Sequence, residues 1–167
     1  PFSADVGLRG GRIVEIGRVT AAAHERIAAQ GAWVTPGFID IQVNGGGGVL
    51  FNDAPTVETL ATIAEAHLQF GVTGFMATLI SDERAKAAKA IDAITAAMKA
   101  GVKGLLGLHL EGPWLSEPRR GVHPQAFLRG LDAEDLQLLT ARRSFPLMVT
   151  VAPERIAQLI EAVPGAG

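Results

Sequence analysis

Cysteine is absent from the chain, and this absence limits the kinds of site that the protein can build. Without thiols there are no disulfide bonds and no thiolate metal sites, so a metal ion would have to be bound by His, Asp or Glu. The chain also lacks runs of like charge, because its 15 Lys and Arg are spread among 17 Asp and Glu. We therefore expect no nucleic-acid partner.

Long apolar runs are missing as well. No stretch approaches the roughly 20 apolar residues of a membrane span, and the N-terminal residues have neither the basic start nor the apolar core of a signal peptide. We therefore expect a cytoplasmic protein with no membrane partner. The composition, with 48% hydrophobic residues, is that of a globular protein able to bury a core.

The first 35 residues have the pattern of short strands. The run VGLRGGRIVEIG predicts two strands joined at Gly10 and Gly11, a pair that tolerates the positive φ angles of a tight hairpin. The run AWVTPG predicts a third strand, which ends at Pro36 and Gly37. These strands are too few for a core of their own, so we predict that residues 1–35 belong to a small β-domain.

From Phe38 onward, strand and helix patterns alternate as they do in parallel βα units. Ser81 is predicted to be the N-cap of the second helix, a short helix is predicted to start near Asp132, and a last helix is predicted through residues 156–160. Four βα units make half of a (β/α)8 barrel, so residues 36–167 are predicted to be the first half of a TIM barrel, an α/β fold. The four predicted strands are FIDIQVN, GFMATLI, GLLGLHLE and PLMVTVA.

An open, doubly wound parallel sheet would also fit this length. Its phosphate-binding signature is missing, because the turn NGGGGVLFND has neither the G-x-G-x-x-G spacing nor the Lys-Ser/Thr of a Walker A loop. Strands that are buried on both faces consist of nearly continuous apolar runs, whereas Asp40, Gln42 and Asn44 share one face of the first strand. Polar side chains that face one way at strand ends are typical of the mouth of a barrel.

Glu111 is the sharpest candidate for a functional residue. It ends the strand GLLGLHLE on the same face as His109, and a Gly-Pro stop follows it. An inward carboxylate needs a partner, and two are compatible with the sequence: a cation bound in the site, or Arg119 or Arg120 in the next loop. His109 lies one layer deeper, where it is either a hydrogen-bonded core group or a support for the site.

Three further polar positions are candidates. Gln42 and Asn44 carry amides, which are weak metal ligands but orient water or hydrogen-bond a substrate; a satisfied polar pair at a barrel mouth is the equally open alternative. His123 lies in the loop sequence PRRGVHP, where a histidine on a barrel rim is placed for contact with a substrate.

In this order and spacing, the segments TPGFIDIQVNGGGGVLFND, GVTGFMATLIS, GLHLEGPWL and RRGVHP resemble the N-acetylglucosamine-6-phosphate deacetylases, a family of the metal-dependent amidohydrolase superfamily. HLEGP with the G-x-H that follows it is the most distinctive part. The resemblance implies a TIM barrel joined to a small β-sandwich domain, with residues 1–35 as part of the sandwich. It also implies that a metal-activated water hydrolyses the acetamide of N-acetylglucosamine 6-phosphate to glucosamine 6-phosphate and acetate.

The resemblance also implies roles for individual residues. Glu111 matches the glutamate that binds a catalytic divalent metal, zinc or iron, and Val122 with His123 matches a substrate-binding pair. Gln42 and Asn44 stand where many amidohydrolases have the His-x-His ligands of a second metal. One metal ion per subunit is therefore expected, with these two amides and His109 lining the site.

The rest of a complete site is expected beyond Gly167. The missing parts are two histidine ligands and the aspartate that acts as general base and acid, so no catalytic residue is assigned in this chain and the chain alone is expected to be inactive. The complete enzyme is expected to be a homodimer. Two alternatives stay open: a non-catalytic barrel that binds a sugar phosphate, and an amidohydrolase that acts on another N-acyl sugar or a cyclic amide.

Overall fold

The computed structural model of the protein describes residues 3–155. The chain divides into two units, residues 1–35 and residues 36–167. The helix predicted through residues 156–160 lies outside the described part of the chain. Within the described part, no helix is both long and apolar enough to cross a membrane.

The first unit contains an antiparallel hairpin. Strand β1 (Asp5–Arg9) pairs with strand β2 (Arg12–Gly17), and the glycines between them have φ angles of 56° and 74°, which confirms the predicted hairpin. The prediction of a strand at AWVTPG is wrong: this run is irregular, and its Trp33 is 76% exposed. Among the described residues the run has no partner strand, and the N–H of Ala32 donates to the carbonyl of Ala29, three residues earlier, at 2.6 Å. The assignment of this unit to a β-sandwich stays a prediction.

The second unit is an α/β structure built on a four-stranded parallel sheet. Three helices connect successive strands of this sheet, and a very short two-stranded hairpin follows the first strand. In chain order the elements are β3 (Phe38–Val43), β4 (Gly45–Gly46), β5 (Val49–Leu50), α1 (Val57–Leu68), β6 (Val72–Ile80), α2 (Arg84–Lys99), β7 (Leu105–Glu111), α3 (Ala133–Thr140) and β8 (Leu147–Thr150).

The strand order distinguishes the two sheet architectures that the sequence allowed. The four strands lie in the order β3, β6, β7, β8, which follows the chain without reversal. A doubly wound sheet reverses its strand order at a switch point, whereas a barrel does not. The predicted parallel βα organisation is therefore confirmed, and the sheet is consistent with part of a (β/α)8 barrel.

The core lies between the sheet and the helices. Leu60 and Ile63 of α1 and Ile94 of α2 are fully buried and belong to one apolar cluster with side chains of β6 and β7. The outer strand β3 differs, since its Ile39 and Ile41 are more than half exposed. The sheet is thus well covered along its central strands and open at β3.

The starts of the helices give one confirmed and one wrong prediction. Asp132 caps α3 by accepting a hydrogen bond from the backbone N–H of Asp135 at 2.9 Å, which confirms the short helix predicted there. Ser81 does not cap α2. That helix begins two residues later than the prediction requires, with Glu83 at the N-cap position and no side-chain cap. The hydroxyl of Ser81 is engaged elsewhere, as described below.

A buried carboxylate joins α3 to α2 and to the loop after β7. Asp135 is 1% exposed and accepts hydrogen bonds from Trp114 Nε1 at 2.9 Å, Arg84 Nε at 2.9 Å and Arg129 Nη2 at 3.0 Å. Burial alone would raise the pKa of Asp135, but the hydrogen bonds from Arg129, Arg84 and Trp114 outweigh it and lower the pKa to about 2. The ionised carboxylate therefore stabilises the fold at neutral pH.

We expect Asp135→Asn to lower the free energy of unfolding by about 2 kcal/mol at neutral pH, the amount that corresponds to a pKa lowered from 3.8 to about 2. Because the pKa is lowered in the folded state, this stabilisation is complete above about pH 4 and is lost as the pH falls towards 2. The difference between wild type and variant should therefore shrink in acid. Urea unfolding at a series of pH values measures it.

Asp92→Asn, at an exposed position of α2, is the matched control and should change the stability little at any pH. A stability difference for Asp135→Asn that does not change with pH would contradict this account of the buried carboxylate.

Candidate active site

The carboxyl ends of β6, β7 and β8 meet at one edge of the sheet. In the register of these parallel strands, Ile80 lies opposite Glu111, and Glu111 lies opposite Thr150. Ser81 directly follows Ile80, and the loop after β7 brings His123 to the same edge. This edge is where parallel α/β proteins bind ligands and carry out catalysis.

Glu111 and His123 face each other at this edge. Oε1 of Glu111 lies 3.6 Å from Nε2 of His123, and the two side chains are 20% and 6% exposed. On the other side of the imidazole, the backbone N–H of Ser81 donates to Nδ1 of His123 at 3.3 Å, and Oγ of Ser81 lies 2.8 Å from the same nitrogen. Since a backbone N–H can only donate, Nδ1 is an acceptor, and a neutral imidazole carries its proton on Nε2, towards Glu111.

The loop that carries His123 is held by contacts within itself. Nη1 of Arg120 donates to the carbonyl of His123 at 2.7 Å, and the N–H of His123 donates to the carbonyl of Arg120 at 3.1 Å. The sequence left two partners open for Glu111, a bound cation or an arginine of this loop. Among the described residues Glu111 faces His123 and not one of these arginines. Val122, the other half of the predicted substrate-binding pair, is 84% exposed.

His109 lies below Glu111 and contacts the three other strands of the sheet, with Thr78 Oγ1 of β6 lying 3.3 Å from its Nδ1. Its Nδ1–H donates to the carbonyl of Ile41 in β3 at 3.1 Å, and its Nε2 accepts from the hydroxyl of Thr150 at the end of β8 at 2.8 Å. Burial lowers the pKa of His109 and outweighs the backbone carbonyl of Ile41 and the charge of Glu111, which raise it. His109 is thus a neutral, hydrogen-bonded core group. Its predicted position in the lining of the active site stays a prediction.

The amides of Gln42 and Asn44 are separate from this pair. Gln42 is exposed and Asn44 is half-buried beyond the end of β3. In residues 3–155, no three His, Asp or Glu side chains gather into a group that could hold a metal ion. A metal ion at Glu111 would therefore need further ligands from residues outside this range.

Asn52 holds the strand end that carries Ser81, and the sequence analysis did not identify it. Its Oδ1 accepts from the N–H of Ile80 at 2.9 Å, and its Nδ2 donates to the carbonyl of Ile80 at 3.2 Å, as a neighbouring strand would. Nδ2 also lies 3.2 Å from Oδ2 of Asp82. Asn52 thereby fixes the backbone of Ile80, which precedes Ser81, and contacts the side chain of Asp82, which follows it. The sequence signal was a lone asparagine directly after the buried Phe51, but its partners lie 28 and 30 residues away.

We expect Asn52→Asp to lower the free energy of unfolding by about 1–3 kcal/mol, because a carboxylate cannot donate to the carbonyl of Ile80 and would repel Asp82. Urea unfolding measures the change. Asp53→Asn, at the exposed neighbouring position, is the control for a change of charge in this turn. A variant Asn52→Asp as stable as the wild type would show that Asn52 does not hold the end of β6.

A parallel sheet in chain order, with a carboxylate and a histidine at the carboxyl ends of its strands, defines a class: parallel α/β proteins whose sites lie at this edge. Comparison with known proteins finds similar sequences among the deacetylases of N-acetyl sugar phosphates. An N-acetylgalactosamine-6-phosphate deacetylase from Shewanella sp. (strain ANA-3) is 44% identical over 120 residues, which cover 72% of this chain and 30% of the relative. The human N-acetylglucosamine-6-phosphate deacetylase is 38% identical over 98% of this chain and 43% of the relative.

Solved structures lead to the same family. The crystal structure of N-acetylglucosamine-6-phosphate deacetylase from Pasteurella multocida matches with a TM-score of 0.83 at 28% identity, over 96% of this chain and 43% of that one. No protein-family model matches the chain. The chain is homologous to part of the N-acetylglucosamine-6-phosphate deacetylases and spans 30% to 43% of the length of these relatives, which confirms the resemblance found in the sequence.

Proposed function

We propose that the protein to which this chain belongs hydrolyses the acetamide of N-acetylglucosamine 6-phosphate to glucosamine 6-phosphate and acetate. The observation that carries the proposal is the pair of Glu111 and His123 at the carboxyl ends of the strands, in a chain 38% identical to the human deacetylase of that name. The pair offers a carboxylate for a cation and, beside it, an N–H that can donate to a polar substrate. Both are features that amide hydrolysis uses.

Glu111 fits a divalent metal ion, zinc or iron, as one ligand. Its carboxylate is partly exposed, and the N–H that faces it at 3.6 Å is beyond the length of a good hydrogen bond, so its oxygens keep lone pairs for a cation. A metal ion bound there supplies a Lewis acid that polarises the amide carbonyl and makes water more acidic. The two histidine ligands and the aspartate that moves the proton belong, in this proposal, to residues beyond Gly167.

The other candidate residues have separate tasks in this proposal. His123 directs its Nε2–H into the site and, together with the exposed Val122, contacts the substrate. Gln42 and Asn44 line the site and orient water or the sugar phosphate through their amides. His109 supports the lining from below by holding β3, β7 and β8 together. A homodimer and a cytoplasmic location stay predictions.

N-acetylgalactosamine 6-phosphate is a second candidate substrate, because the relative from Shewanella that is named for this sugar shares 44% identity with the chain. Acetate release from both sugar phosphates by the metal-loaded protein, compared as kcat/KM, tests the proposal. A higher kcat/KM for the galactosamine compound would favour the second candidate. Binding of both compounds without acetate release would favour a non-catalytic protein that binds sugar phosphates.

We expect Glu111→Gln to lower both the metal content and kcat by about tenfold or more, because the amide keeps the size of the side chain but loses the charge that holds a cation. Elemental analysis of the dialysed protein and acetate release measure the two quantities. Glu65→Gln, at an exposed position of α1, is the control. Full metal content and turnover in Glu111→Gln would show that this carboxylate has a structural role only.

We expect one tightly held metal ion per subunit, because the amide oxygens of Gln42 and Asn44 are weaker donors to zinc or iron than imidazole nitrogens. Elemental analysis after extensive dialysis measures the stoichiometry. The double variant Gln42→His, Asn44→His is the comparison, and its paired imidazoles should raise the metal content. A content near two metal ions per subunit in the wild type would contradict the assignment of these two amides.

A further inference from the structure

We infer that Ser81 is a positioning residue for His123: its backbone N–H requires the tautomer with a proton on Nε2, and its hydroxyl donates to Nδ1 and holds the ring with that Nε2–H towards Glu111. The inference rests on the proposed function for its catalytic consequence. The tautomer and the hydrogen bond at Nδ1 can be measured without any assay of activity.

The contact between Ser81 and His123 is buried and has two components. Ser81 is 2% exposed, and both its hydroxyl oxygen, at 2.8 Å, and its backbone nitrogen, at 3.3 Å, meet Nδ1 of His123. The backbone N–H can only donate, so it requires a lone pair on Nδ1, and the hydroxyl can donate to the same lone pair. A proton on Nδ1 would turn the backbone contact into a clash of two donors.

The surroundings of Ser81 keep its hydroxyl in this direction. Asn52 holds the backbone of Ile80, the preceding residue, through two hydrogen bonds. Gly112 leaves the space that the hydroxyl needs, because a Cβ at Gly112 would lie 2.3 Å from Oγ of Ser81, and the φ angle of Gly112 is 86°. The hydroxyl therefore occupies a gap between the ends of β6 and β7.

Ser81 does not act as a helix cap, the role that its position just before α2 suggests. It precedes α2, whose N-cap position has no side-chain hydrogen bond. Serine hydroxyls at helix starts ordinarily accept hydrogen bonds from the first turn, and here the hydroxyl meets an imidazole 42 residues away instead. The side chain is thus directed at the site and not at its own helix.

The tautomer decides what His123 presents to Glu111. With the proton on Nε2, the ring offers a donor to the carboxylate and to a polar ligand beside it. With the proton on Nδ1, a lone pair on Nε2 would face the carboxylate at 3.6 Å, and the two would repel. Ser81 therefore determines whether the Glu111 edge of the site contains an N–H donor.

Long-range 1H–15N correlation spectra of the zinc-loaded protein, labelled with 15N-histidine, test the inference. The signals of His123 are identified by their loss in His123→Gln. In the wild type we expect protonated Nε2 and unprotonated Nδ1. In Ser81→Ala we expect the tautomer to be kept, because the backbone N–H remains, the 15N signal of Nδ1 to shift towards that of a nitrogen with one hydrogen bond fewer, and kcat/KM to fall about two- to tenfold, the equivalent of one hydrogen bond. Ser81→Thr, which keeps the hydroxyl, should restore both.

Ser81→Cys, with a weak S–H donor in a side chain of similar size, should behave like Ser81→Ala, and Ser144→Ala, at an exposed position, is the control. A wild-type His123 protonated on Nδ1 would overturn the inference, as would an unchanged Nδ1 signal in both Ser81→Ala and Ser81→Cys. If the Nδ1 signal depends on the Ser81 side chain but no acetate is released, the proposed function fails and the positioning role stands. If acetate is released but the Nδ1 signal does not depend on Ser81, the reverse holds.

Discussion

The pairing of β6 with β7 is the constraint on which the rest of the site depends. In its register Ile80 lies opposite Glu111, so the first residue after β6 and the last carboxylate of β7 become neighbours across the sheet. Side chains alternate between the two faces of a strand, and a slip of one residue would turn Glu111 away from this edge. The buried apolar residues of both strands oppose such a slip, because it would also turn Leu108 and Leu110 out of the core.

The loop after β7 carries His123 to the candidate site, and it is anchored at a buried carboxylate of α3. Trp114 and Arg129 of this loop both donate to the buried carboxylate of Asp135 in α3, which also binds Arg84 of α2. The loop is thereby fixed near both ends, and His123 lies between them. The buried charge of Asp135, which contacts no substrate in the proposed function, therefore fixes the backbone of the loop that carries His123 towards Glu111.

The sequence predicts the fold of the second unit well because the signals involved are local: period-2 strands, period-3.6 helices and the cap at Asp132 all act within a few residues. It predicts less where contacts are distant. Ser81 has the residue type of an N-cap, yet its partner lies 42 residues away, and nothing local reveals that partner. The sequence identified both Glu111 and His123 as candidates. Their mutual contact, and the hydrogen bonds by which Asn52 holds the end of β6 next to it, are visible only in the folded structure.

The two histidines near Glu111 differ in how many ring nitrogens the protein itself occupies. Both nitrogens of His109 are bonded, to a backbone carbonyl and to a hydroxyl, so this ring has nothing left to offer a ligand and serves to hold strands together. His123 has one nitrogen fixed by Ser81, and the other faces a partly exposed carboxylate. An imidazole with one nitrogen bonded to the protein and the other available is suited to binding a ligand. Its orientation is already fixed, and its second nitrogen can still donate a hydrogen bond to the ligand. In the proposed function, the strand histidine, which the sequence places closer to Glu111, is thus the scaffold, and the loop histidine is the group that meets the substrate.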